Sequence, residues 1–112
     1  MRRVEKPWGH EEIWAETDRY VGKILHIKGG HRLSRQFHNK KDETIRVLSG
    51  VLILEIGVAG EVRRDVLMDG ACYRISPGTV HRFCAERGDV QLVEVSTPEL
   101  ADVVRLEDDY VR

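Results

Sequence analysis

The chain has 112 residues, a formal net charge of −1 and 33% charged residues. That balance excludes nucleic acid or a membrane surface as a bulk partner, so an anionic ligand must be met by a local cluster of cations. The length suits one domain over 1–112, small enough that a second copy would help to bury apolar surface; no stretch approaches a membrane span, and Met1-Arg2-Arg3 leads into no apolar run, so no signal peptide is expected.

In chain order, Glu12 to Ala15 reads as a short strand and Thr17-Asp18-Arg19 as a turn. Tyr20 to Ile27 is a strand rich in β-branched and apolar residues, broken by Lys28-Gly29-Gly30. Arg32 to His38 follows, with Leu33 and Phe37 expected on the face opposite Gln36 and His38. Asn39 to Asp42 is polar and turn-like. Thr44 to Leu48 and Val51 to Ile56 are joined at Ser49-Gly50, and the unbroken run Val51 to Leu54 predicts a strand covered on both faces. Gly57 to Gly60 is a hairpin tip. Glu61 to Leu67 is a charged strand expected at an edge. Ala71 to Ile75 and His81 to Ala85 flank the turn Ser76-Pro77-Gly78, and Val90 to Ser96 closes the sheet. Ala101 to Tyr110 is ambiguous. Strands this short, with a turn every eight to twelve residues and no helical period, predict an all-β barrel or sandwich.

Four donors stand out. Gln36 and His38 are two apart, so on a strand their side chains share a face. The turn over Asn39 to Asp42 brings Glu43 back across from His38, and the turn at Pro77-Gly78 delivers His81. Two imidazoles, a carboxylate and an amide oxygen suit one borderline divalent ion, and a glutamate buried beside two histidines without a metal would be costly. Cations gather near this set in sequence. Strand parity puts Arg32 on the face of Gln36 and His38, and Lys40 lies between His38 and Glu43. Arg82, next to His81, points away on a regular strand. Arg32 and Lys40 therefore rank above Arg82 as contacts for a phosphate or carboxylate. His10 and His26 read as surface residues. Cys72 and Cys84 fit no metal-thiolate spacing and read as reduced packing residues, although a symmetric hairpin around Pro77-Gly78 would set them opposite each other.

The stretches Gly30 to Gly50 and Gly70 to His81 resemble the two motifs of the cupin superfamily, a small antiparallel barrel of the double-stranded β-helix or jelly-roll type. Gln36-x-His38, in place of the usual His-x-His, resembles the phosphomannose isomerases. Lys6-Pro7-Trp8-Gly9, Gly29 to His38, Gly78 to Arg82 and Asp102 to Tyr110 extend the likeness, over nearly the whole chain, to the cupin domain of type II mannose-6-phosphate isomerases. The chain departs from the usual pattern at Lys40, Ser76, Ala85 and Val111.

The resemblance implies a single-domain cupin that is a metal-dependent aldose–ketose isomerase of a sugar phosphate, mannose 6-phosphate to fructose 6-phosphate, in the cytoplasm. It implies one divalent ion (Zn, Mn, Fe, Co or Ni) per chain. A non-catalytic sugar-binding cupin and another cupin enzyme, such as a nucleotide-sugar isomerase or epimerase or an oxygenase, stand as alternatives. The sequence does not single out the base: Glu94, Tyr73, Lys23 and His31 are the candidates, and Lys23 also matches the family's pattern. The expected assembly is a homodimer, with Trp8 and Trp14 as contact candidates and core packing as their alternative role.

Overall fold

Among the described residues, short β-branched runs punctuated by Gly, Pro and Asp turns fold into eleven strands. They are β1 (Arg2–Lys6), β2 (Gly9–Glu16), β3 (Val21–Ile27), β4 (Arg35–Phe37), β5 (Glu43–Ser49), β6 (Leu52–Ile56), β7 (Arg63–Leu67), β8 (Cys72–Ile75), β9 (His81–Cys84), β10 (Val90–Ser96) and β11 (Val104–Glu107). The computed structural model describes residues 1–111, and no helix occurs among them. The strands form two antiparallel sheets. One has the order β1-β2-β3-β10-β5-β8 and the other β11-β4-β9-β6-β7. The barrel expected from the strand spacing is therefore present, with β7 at an edge as its charges predicted. Two strands were not read from the sequence. β1 is short and highly charged, and β11 lies in the ambiguous C-terminal stretch.

Register sets a polarity gradient inside the barrel. Across the first sheet, Leu25 faces Leu92, which faces Val47. One layer along, Lys23 faces Glu94; a further layer along, Val21 faces Ser96, which faces Glu43. The second sheet adds Leu52, Leu54 and Phe83 to the apolar end. One end of the barrel is thus a hydrocarbon core and the other a buried layer of charge. Trp8 is 2% exposed and belongs to that core, so of the two tryptophans only the half-exposed Trp14 remains open to a partner.

The outer face of β6 and β9 is also covered, as the run Val51 to Leu54 predicted: Ile53, Glu55, Arg82 and Cys84 are all buried. An ion-pair network lies across them. Arg35 meets Glu55 at 2.9 Å and Glu107 at 3.0 Å, and Arg82 meets Glu107 and Asp109 at 3.5 Å each. Two of its acids, Glu107 and Asp109, come from the C-terminal segment, which is thereby held on the sheet. Gly50 is required at its turn, where φ is 87° and a Cβ would come within 2.2 Å of the Asp89 carbonyl oxygen.

Cys72 and Cys84 do not face each other. β8 pairs with β5 and β9 with β4 and β6, so the two cysteines sit in different sheets, and both thiols are free. Cys72 is exposed. Cys84 is buried, and burial pushes its thiol up to about 11. A thiol-reactive chromophore at pH 8 is expected to titrate one fast equivalent in the native protein and the second only on unfolding, because the thiolate is the nucleophile. Loss of the fast equivalent in Cys72→Ser checks the assignment; two fast equivalents in the wild type would contradict it.

Candidate metal centre

β4, β9 and the start of β5 build the centre. Gln36 pairs with His81 across β4 and β9, so the two share the inner face. The Gly78 N–H, in a turn with φ of 83°, donates to the His38 carbonyl at 2.7 Å and ties the two motifs together. His38 Nε2 lies 3.5 Å from one Glu43 oxygen and His81 Nε2 3.7 Å from the other, with the imidazole centroids 5.2 Å apart. His38, Glu43 and His81 are all buried.

Each ring is oriented by a backbone carbonyl. His38 Nδ1 donates to Asp102 O at 2.5 Å and His81 Nδ1 to Thr79 O at 2.9 Å. A carbonyl only accepts, so both Nδ1 atoms carry the proton and both Nε2 atoms present a lone pair. Neither Nε2 has a hydrogen-bond partner among the described residues, while Glu43 Oε2 is met by the Lys41 ammonium at 2.9 Å. Burial lowers both imidazoles, His81 to about 4, so they stay neutral at pH 7. Purely structural histidines would not leave both lone pairs orphaned in a buried site. A divalent ion coordinated by nitrogen and oxygen would satisfy both and use the Glu43 carboxylate between them, so the residues present fit the metal that the family resemblance implies. Gln36 is steadied by the Ser34 hydroxyl, which donates to its Oε1 at 2.6 Å.

Behind these side chains runs a chain of alternating buried charges that the sequence alone does not single out. Lys41 is buried, with Nζ 2.9 Å from Glu43 and 3.0 Å from Glu94, off the line of a directed hydrogen bond to either. Lys23 continues the chain, 3.8 Å from Glu94 and 3.2 Å from Glu11. Burial alone would raise Glu94, but Lys41 and Lys23 outweigh it and hold the carboxyl below its usual range. Glu43, raised by burial and by the Glu94 charge, moves the other way. Asp102 holds the loop beneath: its carboxylate accepts from the N–H groups of Asn39, Lys40 and Lys41, which pull it down to about 2. In the sequence, Lys41 reads as one more charge in a polar turn; only its position two residues before Glu43 places it on the same face.

A cavity of about 220 Å³ opens beside the centre. Gln36 and His38 reach its wall, together with Trp8, Ser34 and Lys23. Arg2, Lys6, Lys41 and Arg105 add positive charge, and Glu11 is the one carboxylate among the described lining residues. Of the four candidate bases, Lys23 lines this cavity. Glu94 lies behind it, covered by two lysines. Tyr73 turns its hydroxyl outward to Arg63 at 2.9 Å, and His31 bonds and stacks with Tyr110 away from the centre.

The three expected anion contacts are also elsewhere. Regular β4 begins only at Arg35, so parity cannot be carried back from Gln36: Leu33 turns inward, and Arg32 points to solvent, its Nε donating to Asp109 at 2.7 Å. Lys40 is exposed and outside the cavity lining. Arg82 points away from the barrel interior, as its parity predicted, and donates through Nε to Leu33 O at 2.7 Å. Arg105, not one of these three, lines the cavity. It pairs with Gln36 in register and so shares the cavity face.

The family described as Mannose-6-phosphate isomerase C-terminal matches residues 1–111. The chain is 33% identical to the mannose-1-phosphate guanylyltransferase ManC of Salmonella typhimurium, over 99% of its own length and 23% of that protein's. It therefore spans under a quarter of this relative. Among solved structures it is similar to the capsular polysaccharide assembling protein CapF of Staphylococcus aureus, with a TM-score of 0.82 at 18% identity over 95% of this chain and 31% of that one. It is also similar to KdgF from Halomonas sp., with a TM-score of 0.73 at 21% identity over 88% of each chain. A Klebsiella pneumoniae protein with a double-stranded β-helix domain matches as well, with a TM-score of 0.73 at 24% identity over 88% of this chain and 84% of that one, so the fold is a double-stranded β-helix.

Proposed function

The chain belongs to the mannose-6-phosphate isomerase C-terminal family, and from that premise we propose that its cavity interconverts an aldose phosphate and its ketose, mannose 6-phosphate and fructose 6-phosphate. The observation that carries this reading is the pair of buried, unpartnered lone pairs at His38 Nε2 and His81 Nε2, converging on the Glu43 carboxylate beside a cation-lined cavity. Held by these residues and Gln36, a divalent ion would polarise the sugar carbonyl and bind the adjacent oxygen.

The chain's own residues do the rest. Glu11, steadied by Lys23, moves the proton between C1 and C2. Lys6 and Arg105 hold the phosphate at the mouth; no ion pair between either of them and a described residue competes, whereas Arg2 is engaged by Glu16. Trp8 and Leu33 close the apolar wall and limit water. Free thiols at Cys72 and Cys84 suit a reducing compartment such as the cytoplasm. Trp14, lying over Gly22 on the outer sheet face, is the contact we assign to a homodimer.

Incubating metal-replete protein with each hexose 6-phosphate and following interconversion by NMR tests the reading. Turnover in both directions is expected. Glu11→Gln is expected to lower kcat about a hundredfold with the metal retained. Arg105→Ala should cost about 1.5 to 3 kcal/mol, roughly ten- to a hundredfold in kcat/KM, on the phosphosugar and little on the free sugar. Saturable binding of phosphosugar without turnover would instead identify a sugar-binding module.

A further inference from the structure

We propose that His10, Glu12 and His26, on the outer face of the first sheet, form a second divalent-metal site of the open two-histidine, one-carboxylate type that takes Zn(II). His10 faces His26 directly across β2 and β3. Glu12, two residues along β2, falls on the same outer face, while Glu11 between them points into the barrel. One donor atom from each of the three lies within 4.8 Å of the others.

Glu12 Oε1 is shared. It lies 3.2 Å from His26 Nε2 and 3.9 Å from His10 Nε2. The two imidazoles stack with centroids 4.2 Å apart and planes 12° from parallel, so both Nε2 edges face the same carboxylate. Tetrahedral zinc with ligand distances of about 2.0 to 2.2 Å sets its donors roughly 3.3 Å apart, so His26 and Glu12 already stand at that spacing and His10 needs a small rotation. A second observation points to a ligand: His26 Nε2 is screened from solvent and makes no directed hydrogen bond. Gln91 continues the row, facing His26 from β10, and a groove of about 350 Å³ beside the pair leaves room for water as a further ligand. The site is separate from the interior centre. None of its residues lines the cavity, and it joins β2 to β3 from outside, so it would clip the strand that carries Glu11 to the strand that carries Lys23.

The chelator-stripped 112-residue protein titrated with Co(II) and Zn(II) at pH 7.5 tests this, read by calorimetry and by the Co(II) visible spectrum. The His10→Ala, His26→Ala variant is expected to bind one equivalent fewer than the wild type while keeping its circular dichroism. The His38→Ala, His81→Ala variant is expected to keep one equivalent, weakened about tenfold or more by adding Glu12→Gln. This second arm makes the result independent of the interior centre. Equal stoichiometry in the wild type and the His10→Ala, His26→Ala variant would overturn the proposal. So would half an equivalent with doubled mass by light scattering, because the ion would then bridge two copies.

Discussion

His38→Ala, His81→Ala protein is expected to carry one metal equivalent fewer than the wild type by elemental analysis and to lose the proposed isomerase turnover. With both imidazoles removed, Gln36 and Glu43 alone would face the ion, and two oxygen donors hold a borderline metal poorly. The barrel should survive. The apolar end rests on Leu25, Leu92, Val47, Leu54 and Phe83, none of which is a ligand. Asp102→Ala is the graded companion. It leaves all four ligands in place but removes the carboxylate that gathers the N–H groups of residues 39–41, so metal should bind more weakly rather than vanish. An unchanged metal equivalent in the double histidine variant would sink the assignment of the centre.

Lys41→Met should be the most damaging single change to the metal-free protein, at about 3 to 5 kcal/mol of stability. It removes the cation shared by Glu43 and Glu94, which are 2% and 3% exposed, and leaves two buried carboxylates with only Lys23 nearby. The sign with pH follows. In the wild type Glu94 is held below its unfolded value, so its contribution is present above the usual carboxylate range and is lost as pH falls through the folded value. Without Lys41, burial dominates and raises both carboxyls. Folding then takes up protons, and the variant regains stability as pH falls from neutrality toward the carboxylate range. The gap between wild type and variant should therefore narrow between pH 7.5 and 5.5 in urea unfolding with chelator present. Adding Glu94→Gln should recover part of the loss. A gap independent of pH would show that the cost lies in packing and not in uncompensated charge.

Most of the strand plan is legible in the chain, as is the spacing that brings Gln36, His38, Glu43 and His81 to the candidate centre. Alternation, β-branched runs and glycine turns are local signals, and strand geometry converts the spacing of Gln36 and His38 into a shared face. The likeness to the cupin motifs extended that reading to fold and family. Local signals failed where the chain is irregular or where charge is buried. Parity puts Arg32 on the face of Gln36, but residues 31 to 34 are not regular strand, and Asp109, 77 residues away, captures its guanidinium. Lys41, Glu11 and Arg105 look like ordinary surface charges until β2, β5 and β11 are set around the cavity. Their roles depend on cross-strand register and on which charges lose water together. His10 and His26 illustrate the same limit on the outer face. Each reads as a lone surface histidine in the chain, and only the pairing of β2 with β3 stacks one ring on the other. Tertiary structure decided these contacts because the register between distant strands is fixed by burial of the whole apolar layer, a sum that no short window of residues contains.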